Sequence, residues 1–394
     1  MKKIQRMSNI ENRSKGIGNG PEGKPSGINK RRALTDLTNS ISRVSLTTPC
    51  DESSSTIDLE DDVFYNTQRG NPELVNNLFK PVKRKWSRSN SERQIIRCLV
   101  SNGYEDADLE LDIFKYLKKK EKTLGSKISF SDADECRAEL AKYREHVLNS
   151  MCDLQMKLPP YEDETFFIAV SLYDRVVERL WIHPEWRNVL LVGTICLNMA
   201  IKAVEQVHLS MRTVAKRCNF IKNVSFVRKT EMDILKSVDF DLFVPTPNDF
   251  TEFLLKLTLP KGRLMKIYKQ MAIYICELSL YEDKLSDMDN LLRSSCAVYI
   301  TRKILPTIEP TWNSNMEKLS GLSEYDLKPT VIVILELLLD EQFVQTKFIY
   351  TKYSSTNHSG ISTYIIQSLA PSLRRLRDCL KNGSTTVPNK RLSA

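Results

Sequence analysis

The stretch TEMDILKSVDFDLFVPTP, Thr230 to Pro247, divides the chain in two. Its first half continues a helical apolar pattern that runs from Phe226 to Val238, and Pro245 and Pro247 then prevent the helix from going on. Upstream, helical patterns cover Leu109 to Leu117, with Leu109, Ile113, Phe114 and Leu117 marking an amphipathic face. That helix leads, and the first unit follows over Leu140–Leu158, Glu164–Arg179, Trp186–Val204, Ser210–Cys218 and Phe226–Val238, punctuated by Pro159-Pro160 and His183-Pro184. Downstream a similar series begins again: Asp249–Leu257, Arg263–Leu280, Met288–Leu305, Asn313–Leu319 and Asp326–Ile349. In each unit the third segment, VLLVGTICLNMAI or LLRSSCAVYITRKIL, is the most apolar all round, as a central helix wrapped by others must be. The expected fold is all-α, with two tandem units of five helices.

The totals agree with a globular body carrying a polar appendage. The 394 residues are 41% hydrophobic and 27% charged. The basic N-terminus has no apolar run behind it, so no secretory signal is expected. The longest apolar run, Val189 to Ile201, is too short to span a bilayer, and an intracellular protein without membrane partners follows. Of the net charge of +9, residues 1–100 contribute an excess of seven, with 18 Lys and Arg against 11 Asp and Glu. The basic character therefore belongs to the first hundred residues, which weakens a nucleic-acid reading.

No catalytic constellation is present: the chain lacks GxxxxGK[ST], HExxH, GxSxG and an HRD–DFG pair. Its nine cysteines are scattered without a CxxC pair, and none of its four histidines pairs with another at ligand spacing. The expectation is a non-enzyme without metal or cofactor, acting by binding. Two residues interrupt the apolar pattern. Lys202 closes the third segment of the first unit, and Glu231 lies in the fifth. A lysine at a helix C-terminus and a glutamate in a first helical turn would both complement the macrodipole, so spacing alone leaves their role open.

Residues 1–98 show no sustained apolar period, the composition of a disordered tail. Within them, RRALTDLTN places Arg31, Leu34, Leu37 and Asn39 at relative positions 1, 4, 7 and 9. A second feature, KPVKRK, gathers Lys80, Lys83, Arg84 and Lys85 and reads either as a nuclear localisation signal or as a solvated charge run. The domain expectation is a tail over 1–98, helical units over 99–244 and 245–375, and a flexible end over 376–394.

Taken together, several motifs in order resemble the cyclin box of the A- and B-type cyclins. AIKAVE, Ala200 to Glu205, resembles the family's ASKxEE, and TEMDILKSVDFDLFVPTP resembles MExxILxxLxFDLxxPTP, with the family's gap between Lys202 and Glu231. DETFFIAVSLYDRVV resembles the second-helix signature ETxxLAVxLxDRFL, and DIFKYLKKKE the helix that precedes the box. The resemblance covers about residues 106 to 375. It implies the regulatory subunit of a cyclin-dependent kinase, shared between nucleus and cytoplasm. Lys202 and Glu231 would grip backbone around the kinase's αC helix, and Met199, Leu235, Phe240 and Leu242 would pack on the same helix. The nine-residue motif matches the destruction box RxxLxxxxN of mitotic cyclins, which implies a ubiquitin ligase as second partner. Two segments depart from the family. Ala203 and Val204 replace an aromatic and an acid, and YREHVLNSMCDL, Tyr143 to Leu154, keeps the first-helix motif MRAILxDWLxEV poorly, without its tryptophan. Docking of Arg-x-Leu substrates by that route is not expected. A cyclin-fold transcription factor would bring a zinc ribbon, which the cysteines do not supply, and a non-activating helical scaffold is the other alternative.

Overall fold

The computed structural model describes residues 88–123, 135–158, 161–179, 186–206, 209–217, 224–305 and 310–382. Two helices lead, α1 (Asn90–Ser101) and α2 (Ala107–Thr123). The first unit follows as α3 (Glu135–Met156), α4 (Asp163–Arg179), α5 (Trp186–Val204), α6 (Met211–Arg217) and α7 (Val224–Ser237). The second comprises α8 (Pro247–Lys256), α9 (Arg263–Ser279), α10 (Asn290–Ile304), α11 (Ser314–Ser320) and α12 (Glu324–Leu339). After it come α13 (Glu341–Gln345), α14 (Phe348–Ser354), α15 (Ile361–Tyr364) and, through a π-turn, α16 (Ala370–Lys381). No strand occurs among the described residues.

The two all-apolar segments occupy the centres expected of them. α5 packs on α3, α4, α6 and α7, and α10 packs on α8, α9, α12 and α16. Every residue from Leu191 to Ile201 is buried, which requires close approach by the surrounding helices. Gly193 makes one such approach possible, since a Cβ there would overlap Val147 Cγ1 of α3. α10 buries even Arg293 and Arg302, whose guanidinium groups end on backbone carbonyls, Arg293 on Leu285 at 2.5 Å and Arg302 on Thr311 at 2.9 Å. Hydrogen bonds of this kind offset the cost of removing a cation from water.

α2 binds to the second unit at both ends of its buried face. Phe114 meets Phe250 edge-on at 5.5 Å and Phe253 at 4.7 Å. Glu121 accepts from the backbone N–H of Asn290 at 2.5 Å and of Leu291 at 3.3 Å, so it caps the positive end of α10. Lys118 donates to the carbonyls of Leu319 at 2.9 Å and Ser320 at 2.7 Å at the negative end of α11.

Four expectations need correction. α1 begins inside the segment 1–98, because Ser89 and Glu92 form a capping box and Ile95 and Leu99 bury one apolar edge. The buried face of α2 is Ala107, Leu111 and Phe114, whereas Leu109 and Ile113 are exposed. Asp326–Ile349 is three helices, since the Asp340 side chain accepts from the Phe343 N–H at 3.0 Å and starts a new one. α16 runs to Lys381, into the segment 376–394, because Leu373 and Leu376 are buried.

Candidate functional site

The buried centre of α5 ends where its last turn surfaces at Lys202, and Glu231 sits mid-way along α7. Glu231 is thus well past the first turn, and a macrodipole role does not account for it. The fold joins the two side chains, Lys202 Nζ donating to Glu231 Oε1. Their side chains retain 34% and 15% exposure, so the pair lies at the surface with the glutamate the deeper member. Just beyond, Glu205 accepts from the Glu162 N–H at 2.9 Å and from the Thr165 hydroxyl, tying the end of α5 to the start of α4. That glutamate of AIKAVE is therefore structural.

The other residues expected here differ in access. Leu235 and Leu242 are half-buried against the core and Phe240 is 61% exposed. Met199 is 2% exposed, so it supports the helix from beneath and is not a surface contact. The motif positions Arg31, Leu34, Leu37, Asn39, Lys80, Lys83, Arg84 and Lys85 lie outside the described residues.

The turn after α7 is unusual. Asp239 and Phe240 both have left-handed backbone, with φ of 53° and 58°. For a bulky residue that conformation costs about 1–2 kcal/mol. It persists because it is clamped from several sides. The Phe240 N–H closes back on Leu235 at 2.9 Å, Arg175 donates to the Asp241 carbonyl at 2.9 Å, and Arg179 to the Ser237 carbonyl at 2.9 Å. Lys120 of α2 donates to the Phe243 carbonyl. The outcome is that Phe240 and Phe243, 61% and 54% exposed, project from a fixed loop.

Lys120 also locates what sequence reasoning missed. One turn before it Tyr116 is 61% exposed, followed along the same face by Ile113 at 48% and Leu109 at 60%. These three residues recur at i, i+4 and i+7, the signal of an apolar stripe, but periodicity assigned two of them to the core. Met232, 45% exposed, lies beside Leu235 on α7. Met232 and the Phe240–Phe243 turn thus belong to α7 and its end, next to Glu231, and Lys120 joins that turn to α2, whose outer stripe is also exposed. Exposed apolar side chains gathered around a charged pair mark an interaction surface. Among the described residues no cluster suited to a metal ion is found, and no helix is long and apolar enough to cross a membrane.

Phe240→Gly is expected to separate stability from binding. Relief of left-handed strain, less about 0.5–1 kcal/mol for glycine's unfolded freedom, should raise stability by roughly 0.5 kcal/mol. Affinity for a partner on this face should fall. Thermal unfolding and partner titration measure the two, and a less stable variant with unchanged affinity would make the ring a packing residue.

Comparison with known proteins agrees with this geometry. Residues 112–243 match the family model of the cyclin N-terminal domain, and residues 245–367 that of the cyclin C-terminal domain. Cyclin-A2-2 of Arabidopsis thaliana is 28% identical over 45% of this chain and 40% of its own length. Cyclin-A3-2 of Oryza sativa subsp. japonica is 30% identical, over 45% of this chain and 46% of its own. G2/mitotic-specific cyclin-2 of Saccharomyces cerevisiae is 26% identical, over 45% and 34%. The chain thus spans less than half the length of these three relatives. A solved viral cyclin from herpesvirus saimiri aligns over 58% of this chain and 97% of its own, with 17% identity and a TM-score of 0.48. Two cyclin domain models in tandem, on an all-helical body of two five-helix units, establish that the chain belongs to the cyclin family, as a divergent member of its A and mitotic branch.

Proposed function

We propose that this cyclin binds and activates a cyclin-dependent protein kinase through the face that carries Lys202 and Glu231. The observation that carries the reading is the surface Lys202–Glu231 pair, with Met232 exposed beside it on α7 and Phe240 and Phe243 exposed in the turn that ends that helix. Kinase activity requires the αC glutamate to be paired with the β3 lysine before the phosphates are positioned. A partner that binds only the αC-in arrangement shifts the population toward it, by as much as its preference for that state. A rigid face serves this purpose because it does not deform to fit the inactive form. One relative's name, G2/mitotic-specific cyclin-2, places it in mitotic control, and the same setting suits this chain. RRALTDLTN then acts as a destruction box read by a ubiquitin ligase, and Lys80, Lys83, Arg84 and Lys85 direct part of the protein to the nucleus.

The test is reconstitution of the full chain with a purified cyclin-dependent kinase. Association and phosphorylation of a model substrate should appear together. Placing aspartate at Ile113 and Tyr116 should lose both, since two buried carboxylates would face an apolar partner. Association without activity would favour a non-activating scaffold, and absence of association overturns the reading. Changing Arg31 and Leu34 to alanine should lengthen the protein's life at mitotic exit and leave kinase activation alone. An unchanged decay curve would remove the destruction-box role.

A further inference from the structure

The turn that presents Phe240 and Phe243 is held from two sides. Arg175 and Arg179 of α4 bind its earlier limb, at the carbonyls of Asp241 and Ser237. The later limb is held from outside the first unit. Lys120 of α2 donates to the Phe243 carbonyl and lies 3.4 Å from the Asp241 carboxylate. Asn290, the first residue of α10, donates through its side chain to the Pro245 carbonyl at 2.7 Å.

These two donors are themselves joined. Glu121, next in sequence to Lys120, accepts from the Asn290 backbone N–H at 2.5 Å. The end of α2, the start of α10 and the segment from Phe243 to Pro245 therefore share one hydrogen-bonded junction. It is anchored in the second unit, because α10 is that unit's buried centre and Phe114 of α2 packs on Phe250 and Phe253 of α8. Two successive left-handed residues, Asp239 and Phe240, persist only where the surroundings impose them. Without Lys120, the Phe243 carbonyl would return to water and the later limb would lose its hold nearest the rings.

We propose that Lys120 is a positioning residue for kinase binding: by holding the Phe243 carbonyl it fixes the rings of Phe240 and Phe243, so that the second unit, through the α2–α10 junction, sets the geometry of a face made by α5, α7 and the turn. The inference rests on the kinase reading above and deepens it. A face fixed beforehand loses less conformational freedom on association, so affinity follows the anchoring of the turn without any contact between Lys120 and the kinase. Lys120 suits the role because its side chain keeps 23% exposure and its partner Asp241 44%. An ion pair that open adds little stability of its own, so losing it alters the turn and leaves the fold intact.

The experiment titrates a purified cyclin-dependent kinase with the full chain and its variants. Lys120→Met, which keeps the stem and removes the donor, should weaken association by about three- to tenfold. Lys120→Arg retains a donor for the same carbonyl and should bind as the parent does. In a Phe240→Ala background, adding Lys120→Met should change affinity by less than about 1.5-fold, because the ring through which it acts is gone. In the free chain, exchange of the Phe240 amide, bonded to the Leu235 carbonyl at 2.9 Å, should quicken in Lys120→Met while the amides of α5 keep their rates. Parent-like affinity in Lys120→Met, when the parent itself binds, would overturn the positioning role and leave the kinase reading standing. Full additivity with Phe240→Ala would also overturn it, since Lys120 would then act independently of the ring. Absence of binding by the parent would bring down the kinase reading and this inference together.

Discussion

Glu277→Ala should destabilise the folded chain by about 3–5 kcal/mol, more than any surface substitution. Glu277 of α9 has no solvent exposure, and both its oxygens accept from Lys352 of α14, at 2.9 Å and 3.0 Å. Burial pushes the Glu277 carboxyl up, and Lys352 opposes that shift. For Lys352 burial acts downward, but Glu277 more than restores it, so the ammonium stays charged. The Lys352 Nζ lies 5.6 Å from the centre of the Phe166 ring in α4, and among the described residues Glu277 alone is within ion-pair distance of it, Asp163 acting from further away. Removing the glutamate abandons a cation among aromatic rings. Urea unfolding midpoints of the variant and parent measure the cost. Replacing the pair by Glu277→Leu with Lys352→Met should recover most of it, because desolvation and attraction nearly cancel in a buried pair. A loss below about 1 kcal/mol in Glu277→Ala would mean that water reaches the lysine.

The same region joins the two units. Arg144 of α3 is buried, pairs with Asp174 of α4 at 2.9 Å, and donates to the Leu280 carbonyl just past α9 at 2.5 Å. Glu145 pairs with Lys347 at 2.6 Å, and Asn149 accepts from the Phe348 N–H at 3.1 Å. YREHVLNSMCDL, the segment that departs most from the family, thus uses Arg144, Glu145 and Asn149 to hold the second unit and the helices after it. An inward-facing arginine is useful there only because carbonyls and a carboxylate meet it.

What was legible in the sequence follows from the strength of each local signal. α5 and α10 declare themselves because a central helix must be apolar on every side, and VPTP because proline forbids helix continuation. α1 is short, and its two buried residues, Ile95 and Leu99, give a single i, i+4 pair, too little for a sustained pattern, although SNSE held the capping-box sign. α2 misled because it has two apolar stripes, one against Phe250 and one exposed, and hydropathy cannot tell a core from an interface. Met199 illustrates the same limit at one residue: its neighbours on α5 point inward all round, so position along the motif does not give access. Lys202 and Glu231 were found through resemblance, since ion pairing across a 29-residue separation depends on how two helices cross.

That pair carries the last prediction. In the free chain each partner satisfies the other, and the exposure of Lys202 makes the pair's own contribution to stability about 0–1 kcal/mol. On complex formation the partner's backbone would replace water around both groups, giving charge-assisted hydrogen bonds of about 1.5–3 kcal/mol each. Lys202→Ala should therefore weaken kinase association by roughly ten- to a hundredfold, and Glu231→Ala by a similar factor. The double variant should lose much less than the product of the two, because each single change already leaves its partner desolvated and unpaired. Kinase affinity of the four proteins closes the cycle, and thermal unfolding of each free chain is the control, expected to move little. Strict additivity would show two independent contacts and no shared network. Wild-type affinity in the double variant would leave the pair as a surface ion pair and shift the grip on the kinase to the apolar belt of Tyr116, Phe240 and Phe243.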